Sequence, residues 1–543
     1  MSIISSAVRY MKRHGLKYTL HKAYVQAGER FLKTYYRKAL KNAPDEAELK
    51  RQRETAFAAP IKISIVVPAY NTRPVFLNEL VDSVLSQTYP HFELCLMDGN
   101  SQNPDTLLAL EALRTRDSRI HVAHSKENMG ISGNTNLAIS MATGEYIALL
   151  DHDDLLTPDA LFEVASAILN TGADMIYSDE DKIDEHSTTL FAPHFKPDFS
   201  PDMLRSSNYI CHLMVIKKAL LLDVGGLDPA FDGSQDHDLA LRSSEKAKKI
   251  VHIPKVLYHW RSLNSSMSHQ NLEKCVDAAT RAVQNQLSRL ALNALVTTEE
   301  MRCHVRFLPA EGLSVTFIIS HGGDDALLSR CLHSLGNPKD TMIIKPGEHR
   351  FRDLNAAAKE AKGDILVFVD SHMDVLDSAE IPSLISRAAL PDAGVVAPTI
   401  LYKDGTLRHQ GYLIGMDTIV KNPQQHHPIN SWGYFAIERV SKNVSAASVA
   451  FFAVKKSAFL EAGMFDESYL HDLGDVDFCL KLLEKGLYNV VLPECQAVYD
   501  GMDAIIDKAP DPKDAVAFLR AHGDLKDAYY SPNLSHSGRT YRY

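Results

Sequence analysis

The stretch Tyr146-Ile147-Ala148-Leu149-Leu150-Asp151-His152-Asp153-Asp154 decides how this chain is read. Its first five residues are largely apolar and read as a buried strand, and three carboxylates crowd the strand's C-terminal end. In an open α/β sheet, ligands bind outside the carboxyl ends of the strands. Carboxylates packed this closely repel one another unless a cation neutralises them. Hard divalent ions such as Mg²⁺ take oxygen ligands and bridge to phosphates. The stretch therefore predicts a metal–diphosphate site. The alternative is an acidic turn in solvent, leading into a helix that starts at Thr157-Pro158-Asp159.

The neighbouring sequence favours the first reading. Ile63-Ser64-Ile65-Val66-Val67-Pro68-Ala69-Tyr70-Asn71 is an apolar strand that stops at Pro68, followed by a helical pattern through Leu77, Leu80, Val81, Val84 and Leu85. A second strand, Phe92-Glu93-Leu94-Cys95-Leu96-Met97, ends in Asp98-Gly99-Asn100-Ser101. Asn128, Gly130 and Asn136 lead into a further helix, and Gly144 precedes the acidic strand. This β-α-β-α-β order predicts a parallel sheet with its strand-end loops on one edge. Over roughly residues 61–270 the chain resembles the family 2 glycosyltransferases of the GT-A fold, with several motifs in the right order.

The resemblance implies a role for each matching position. Asp98 matches the carboxylate that hydrogen-bonds the nucleobase, although Gly99 stands where the family usually has a second Asp. Pro68, Tyr70 and Asn71 match the first donor-contacting loop, and Pro68 also simply ends a strand. Asp151 and Asp153 match the D-x-D pair that holds the ribose and the divalent metal, Mn²⁺ or Mg²⁺, on the donor diphosphate. In Gly233-Ser234-Gln235-Asp236-His237-Asp238-Leu239, Asp236 holds the position of the general base of inverting enzymes, with Gln235 replacing the usual Glu. The alternative for Asp236 or Asp238 is to cap the helix that follows, and Asp238 is read as structural. In Tyr258-His259-Trp260-Arg261, His259 is a candidate metal ligand and Arg261 a candidate phosphate clamp, with Asn264-Ser265-Ser266 as a loop closing on the donor. Tyr177 to Lys182, His194 to Asp198 and Asn208 to His212 look like an acceptor subsite. They read equally as an acidic solvated loop and a packing strand.

A second, weaker copy follows. Leu313 to Ser320 repeats the opening strand, and Gly363 to His372 repeats Gly144 to Asp153. Phe465-Asp466 and Gly474 to Leu480 repeat Phe231-Asp232 and the Asp236 region. The donor motifs have drifted. His321-Gly322-Gly323 replaces the Pro-x-Tyr-Asn ending, Lys345-Pro346-Gly347 lies where Asp98 should, and the D-x-D becomes Asp370-Ser371-His372. Asp475 keeps the base position. Either this copy has lost transfer and holds acceptor glycan or a partner, or the enzyme is bifunctional and Asp370, His372 and Asp475 form a second site.

The expected organisation is α/β: two tandem GT-A (nucleotide-diphospho-sugar transferase, Rossmann-like) domains with a helical N-terminal extension. The boundaries are a basic extension at 1–60, a catalytic domain at 61–271, a helix and strand linker at 272–311, a diverged domain at 312–505 and a tail at 506–543. The chain has 543 residues and 45% hydrophobic residues, enough for more than one core, and its net charge of −10 argues against nucleic acid as a partner. Its seven cysteines form no C-x-x-C pair, which fits a reducing cytoplasm, and no apolar run has the length of a membrane helix. Residues 1–41 interleave Lys and Arg with aromatics at helical spacing. That pattern suits peripheral contact with the cytoplasmic face of an anionic inner membrane, or else a hairpin packed on the catalytic domain or an oligomerisation arm. The resulting expectation is an inverting, metal-dependent enzyme. It would move a sugar from a UDP- or dTDP-sugar to a lipid-linked or polysaccharide acceptor such as O-antigen, capsule or lipopolysaccharide. A nucleotidyltransferase or a glycan-binding scaffold are the competing classes.

Overall fold

Ile63–Ala69 (β1) is apolar along almost its whole length because both of its faces are covered. Phe92–Asp98 (β2) and Tyr146–Leu149 (β4) lie parallel on either side of it, and Ile120–His124 (β3) adds an outer parallel strand. The computed structural model describes residues 43–263, 271–299, 302–429, 431, 433–501, 510–523, 525–538 and 540–542. The basic segment 1–41 and the loop Asn264-Ser265-Ser266 lie outside these residues.

One sheet carries the first half of the chain. Leu155–Leu156 (β5), Met175–Ile183 (β6), Leu190–His194 (β7), Met214–Lys217 (β8) and Ile250–Arg261 (β9) complete the order β3-β2-β1-β4-β8-β6-β9-β5, with β7 beside β6. β8 runs antiparallel between β4 and β6, whereas β9 is parallel to β6. Helix Pro74–Leu85 buries Phe76, Leu77, Leu80, Val81 and Val84, the face its spacing predicts, and begins with Pro where a free N–H would find no intrahelical partner. Glu93 ties β1 and β2 to the turn before β4. Its buried carboxylate accepts from Lys62, Ser64 and the amides of Thr143 and Gly144.

Helix Leu272–Arg289 and the hairpin Ala294–Glu299 (β10) with Arg302–Phe307 (β11) follow. Ala282, Val283 and Leu287 of the helix are buried in a cluster that also holds Leu239, Ala240 and Leu241 of helix Gln235–Lys246, so this segment is packed structure.

The second sheet repeats the first. Its strands are Val315–Ser320 (β12), Thr341–Ile344 (β13), Ile365–Asp370 (β14), Met373–Val375 (β15), Ala393–Leu401 (β16), Leu407–His409 (β17), Lys442–Asn443 (β20), Phe451–Lys455 (β21) and Tyr488–Tyr499 (β22). Leu413–Ile414 (β18) and Val420–Lys421 (β19) form a small separate pair. The order β13-β12-β14-β21-β16-β22-β15 matches β2-β1-β4-β8-β6-β9-β5 strand for strand, and β17 lies on β16 as β7 lies on β6. A counterpart of β3 is missing among the described residues, in line with the shortened sequence there. Two GT-A domains are therefore present.

Buried polar contacts join the halves. Arg387 donates to both oxygens of Asp202, at 2.9 Å each, and Asn443 Nδ2 donates to Asp202 Oδ2. Both charges are buried, and their proximity, with Arg205 and Asn443, outweighs the burial that would push the Asp202 carboxyl up and holds it well below the usual range. In the tail, Asn533 Nδ2 donates to Asp179 Oδ2 and Pro254 O, and the amide of Asp198 donates to Ala528 O.

Candidate active site

The acidic strand end divides its three carboxylates between inside and outside. The Leu150 amide donates to Val66 O, so the chain leaves β4 level with the middle of β1, and the Asp154 amide closes a turn onto Asp151 O. Asp154 points back inside and is fully buried. Its Oδ2 accepts from the Tyr258 hydroxyl at 2.5 Å, and its Oδ1 accepts from the Arg261 amide at 2.6 Å. Burial drives its carboxyl well above the usual range, with the charges of Asp153 and Asp151 adding to the effect. Tyr258 also accepts from the Asp151 amide, which bolts the acidic turn to β9.

Asp151 is half-buried and faces the cleft. Burial raises its carboxyl, His212 pulls it down, and Asp153 and Asp236 push it up again. Ligand atoms of Asp151, Asp154 and His212 lie within 4.8 Å of one another, the one such group of acids, histidines or cysteines among the described residues. This donor set, with Asp153 beside it, has the chemistry of a hard-cation site: buried oxygen ligands that repel one another, plus an imidazole.

Asp236 opens helix Gln235–Lys246. Its Oδ1 accepts from the next amide, His237 N, at 3.0 Å, and its Oδ2 accepts from Asn208 Nδ2 at 2.9 Å. Asn208 Oδ1 accepts in turn from the Cys211 amide, which fixes which way round the side-chain amide sits. Asp238 is a structural residue: it is fully buried and its Oδ2 accepts from Arg242.

The Asn208–His212 loop is held from below. Lys196 is fully buried, and its ammonium donates to Glu180 Oε2 at 3.1 Å and to the carbonyls of Ile210 and His212. Glu180 Oε2 also accepts from the His212 amide at 3.0 Å. Burial alone would raise the Glu180 carboxyl, but Lys196, His194 and His212 together hold it well below the usual range. The Tyr177–Lys182 acids are therefore not a solvated loop. They form β6, with Asp179 on His252 and Asn533, Glu180 on the loop, and Asp181 on His259.

Two expected residues stand elsewhere. Strand alternation sends Tyr258 to Asp154 and His259 to the opposite face, where its Nδ1 is paired with Asp181 Oδ1 at 2.5 Å. His212 joins Asp151 in its stead; it lies stacked on Tyr258, with ring centroids 4.5 Å apart. Arg261 is not an open phosphate clamp. Its side chain is fully buried and donates to Asp153 O, Ser187 Oγ and Glu79 Oε2. Sequence reasoning missed Asn208 as the base's partner and Tyr258 as the bolt. Their only signal was proximity to motif residues, and pairing across distant strands brings them in.

On the donor side, Pro68 ends β1 beside Met97, and Tyr70 is exposed. Asn71 has φ 48°, and its Oδ1 accepts from the amides of Gln102 and Asn103, so it staples two strand-end loops together. Asp98 is buried, accepts from Ser101 and pairs with His124 Nδ1 at 3.0 Å. A side chain at Gly99 would meet Asn134 Nδ2 at 2.4 Å, so a second Asp there would need Asn134 to turn aside.

The corresponding positions of the second domain are engaged by their own neighbours. Asp370 Oδ1 accepts from both the amide and Nδ1 of His372, and this pairing pushes the imidazole up. The Gly322 loop lies against that ring; a Cβ there would come within 2.6 Å of His372 Cε1. Asp475 is buried and engaged by the amides of Val449 and Val476. A carboxylate enclosed this way has no access to an acceptor hydroxyl.

Residues 64–221, which hold the strand ends just described, match the profile described as "Glycosyl transferase family 2". The chain is 33% identical over 527 residues to uncharacterized protein y4gI of Sinorhizobium fredii, covering 87% of this chain and 57% of that one. It is 31% identical over 517 residues to O-antigen biosynthesis protein RfbC of Myxococcus xanthus, covering 87% and 40%. A shorter match, 30% over 215 residues, links it to chondroitin synthase of Pasteurella multocida, covering 39% and 22%. The chain thus spans about half the length of the two relatives it matches most broadly. Residues 64–221 are thus similar to glycosyl transferase family 2.

Proposed function

We propose that the first domain transfers a sugar, with inversion, from a UDP- or dTDP-sugar to a growing bacterial cell-envelope glycan such as O-antigen, capsule or lipopolysaccharide. The observation that carries this reading is that one loop, Asn208–His212, touches both carboxylates: Asn208 donates to Asp236 Oδ2 at 2.9 Å, and His212 brings a ligand atom within 4.8 Å of Asp151. The relative of that chemistry is RfbC, whose name assigns it to O-antigen biosynthesis.

Asp236 takes the proton of the acceptor hydroxyl. The acceptor oxygen forms its bond to the anomeric carbon as the bond from that carbon to the diphosphate oxygen breaks, and the nucleoside diphosphate leaves with the electron pair. Asn208 and the His237 amide hold the base's two oxygens, so the carboxylate stays aimed through the step. Asp98 and the Pro68–Asn71 loop orient the nucleoside. Mn²⁺ or Mg²⁺ held by Asp151 and Asp153, with His212 alongside, would supply Lewis-acid stabilisation of the leaving diphosphate.

The test is nucleoside diphosphate release from a panel of nucleotide sugars, with and without Mn²⁺ or Mg²⁺. Asp153→Ala is expected to abolish metal-dependent release, and Asp236→Asn to leave donor binding intact while turnover collapses. Release of inorganic pyrophosphate from a nucleoside triphosphate would instead make the protein a nucleotidyltransferase. Among the described residues no helix is long and apolar enough to cross a membrane; a cytoplasmic site of action, with residues 1–41 on the inner membrane, belongs to this proposal.

A further inference from the structure

The second domain reaches across to the first. The Tyr434 hydroxyl accepts from the Phe195 amide at 2.6 Å and donates to Pro193 O, just where β7 ends. The next residue, Phe435, lies flat on His194, with ring centroids 3.9 Å apart and planes 15° apart. Phe435 and Ala436 have φ of 50° and 56°, a left-handed pair of non-glycine residues. Such backbone persists only where the surroundings enforce it, and it concentrates at ligand sites. It holds outward a large apolar ring that is 44% exposed, although burying it would be favourable.

That ring connects to Asp151 through two histidines. Continuing the β4–β8 register from Ala148↔Val215 brings Asp151 opposite His212. His194 is opposite Glu180, whose carboxylate bridges His194 to the His212 amide. His212, His194 and Phe435 are therefore successive neighbours leading away from Asp151. Trp260, half-buried, stands edge-on to His212 with centroids 5.9 Å apart. The cavity beneath the Tyr434–Phe435 loop is only about 30 Å³, room for a water or two, so a sugar would have to sit on the open face of the ring.

We propose that Phe435 is an acceptor subsite lent by the second domain to the first: a platform on which the apolar C–H face of a pyranose ring of the acceptor glycan stacks. This inference rests on the transferase reading for its purpose, and on glycan binding for its test. The full chain is applied to an array of bacterial O-polysaccharides and oligosaccharides, and donor hydrolysis without acceptor is measured in parallel. Phe435→Ala should weaken binding to the recognised glycan about tenfold or more, and Phe435→Trp should restore it, with donor hydrolysis unchanged in both. Wild-type binding in Phe435→Ala overturns the proposal, as does an array on which the wild-type chain binds nothing. Absence of donor hydrolysis in the wild-type chain would strike the transferase reading instead, while the Phe435 comparison on the array still decides the subsite.

Discussion

Asn208 donates to one oxygen of the carboxylate proposed to receive the acceptor proton, and this sets what its removal should do. A hydrogen bond to a charged group contributes about 1.5–3 kcal/mol. Asn208→Ala should therefore lower kcat about ten- to a hundredfold while donor KM stays the same, as read in steady-state kinetics. An equal fall in donor affinity would show that the loop, and not the base, is what the residue serves. Asp151, Asp153 and Asp236 could be named from the sequence because short motifs carry them. His212 and Tyr258 could not be placed, because their roles depend on the register of β8 and β9. The same blindness made Arg261 a phosphate clamp, when Glu79 and Ser187, far away in the chain, take up its donors.

At the level of elements, the parallel strands β1, β2 and β4 were legible because continuous apolar runs mark strands covered on both faces. The acidic strand β6 was not. Its carboxylates look solvated until Lys196, His252, His259 and Asn533 are brought against them. Removing one partner of such a buried pair costs about 3–5 kcal/mol, because the other charge is left uncompensated. Lys196→Met should lower thermal stability by that order in a denaturation experiment, and should loosen the Asn208–His212 loop. The pair also carries a pH signature. The Glu180 carboxyl is held below its unfolded value, so its contribution is present above the ordinary carboxylate pKa near 4 and is lost as pH falls below it. The stability difference between wild type and Lys196→Met should therefore shrink in acid.

Across the whole molecule, the repeat was legible as sequence, and the strand order bears it out without β3. What the sequence left open was whether the second copy still works. The packing around Asp475 and His372, which no motif records, bears on that question: Asp475 is buried and His372 pairs with Asp370. The tail offers a test of how the parts are tied. Burial pushes the half-buried Asp527 carboxyl up to about 6, against the amides of Ile414 and Tyr529 that favour its charge. A carboxyl raised in the folded state contributes stability that is present below its unfolded value near 4 and is lost as pH rises through 6. Amide exchange at Leu525–Tyr530, corrected for intrinsic rates, should thus be slower at pH 5 than at pH 7.5. Asp527→Asn should flatten that difference.

The Arg387–Asp202 pair has a consequence for heredity. Asp202 lies a few residues before the loop that carries Asn208 and His212, and its guanidinium partner belongs to the duplicate. A recombination event that joined this first half to a foreign second half lacking Arg387 would leave the buried Asp202 anion to Arg205 alone, a few residues before the loop that carries Asn208 and His212. An exchange of halves is therefore expected to cost stability unless it carries Arg387 along.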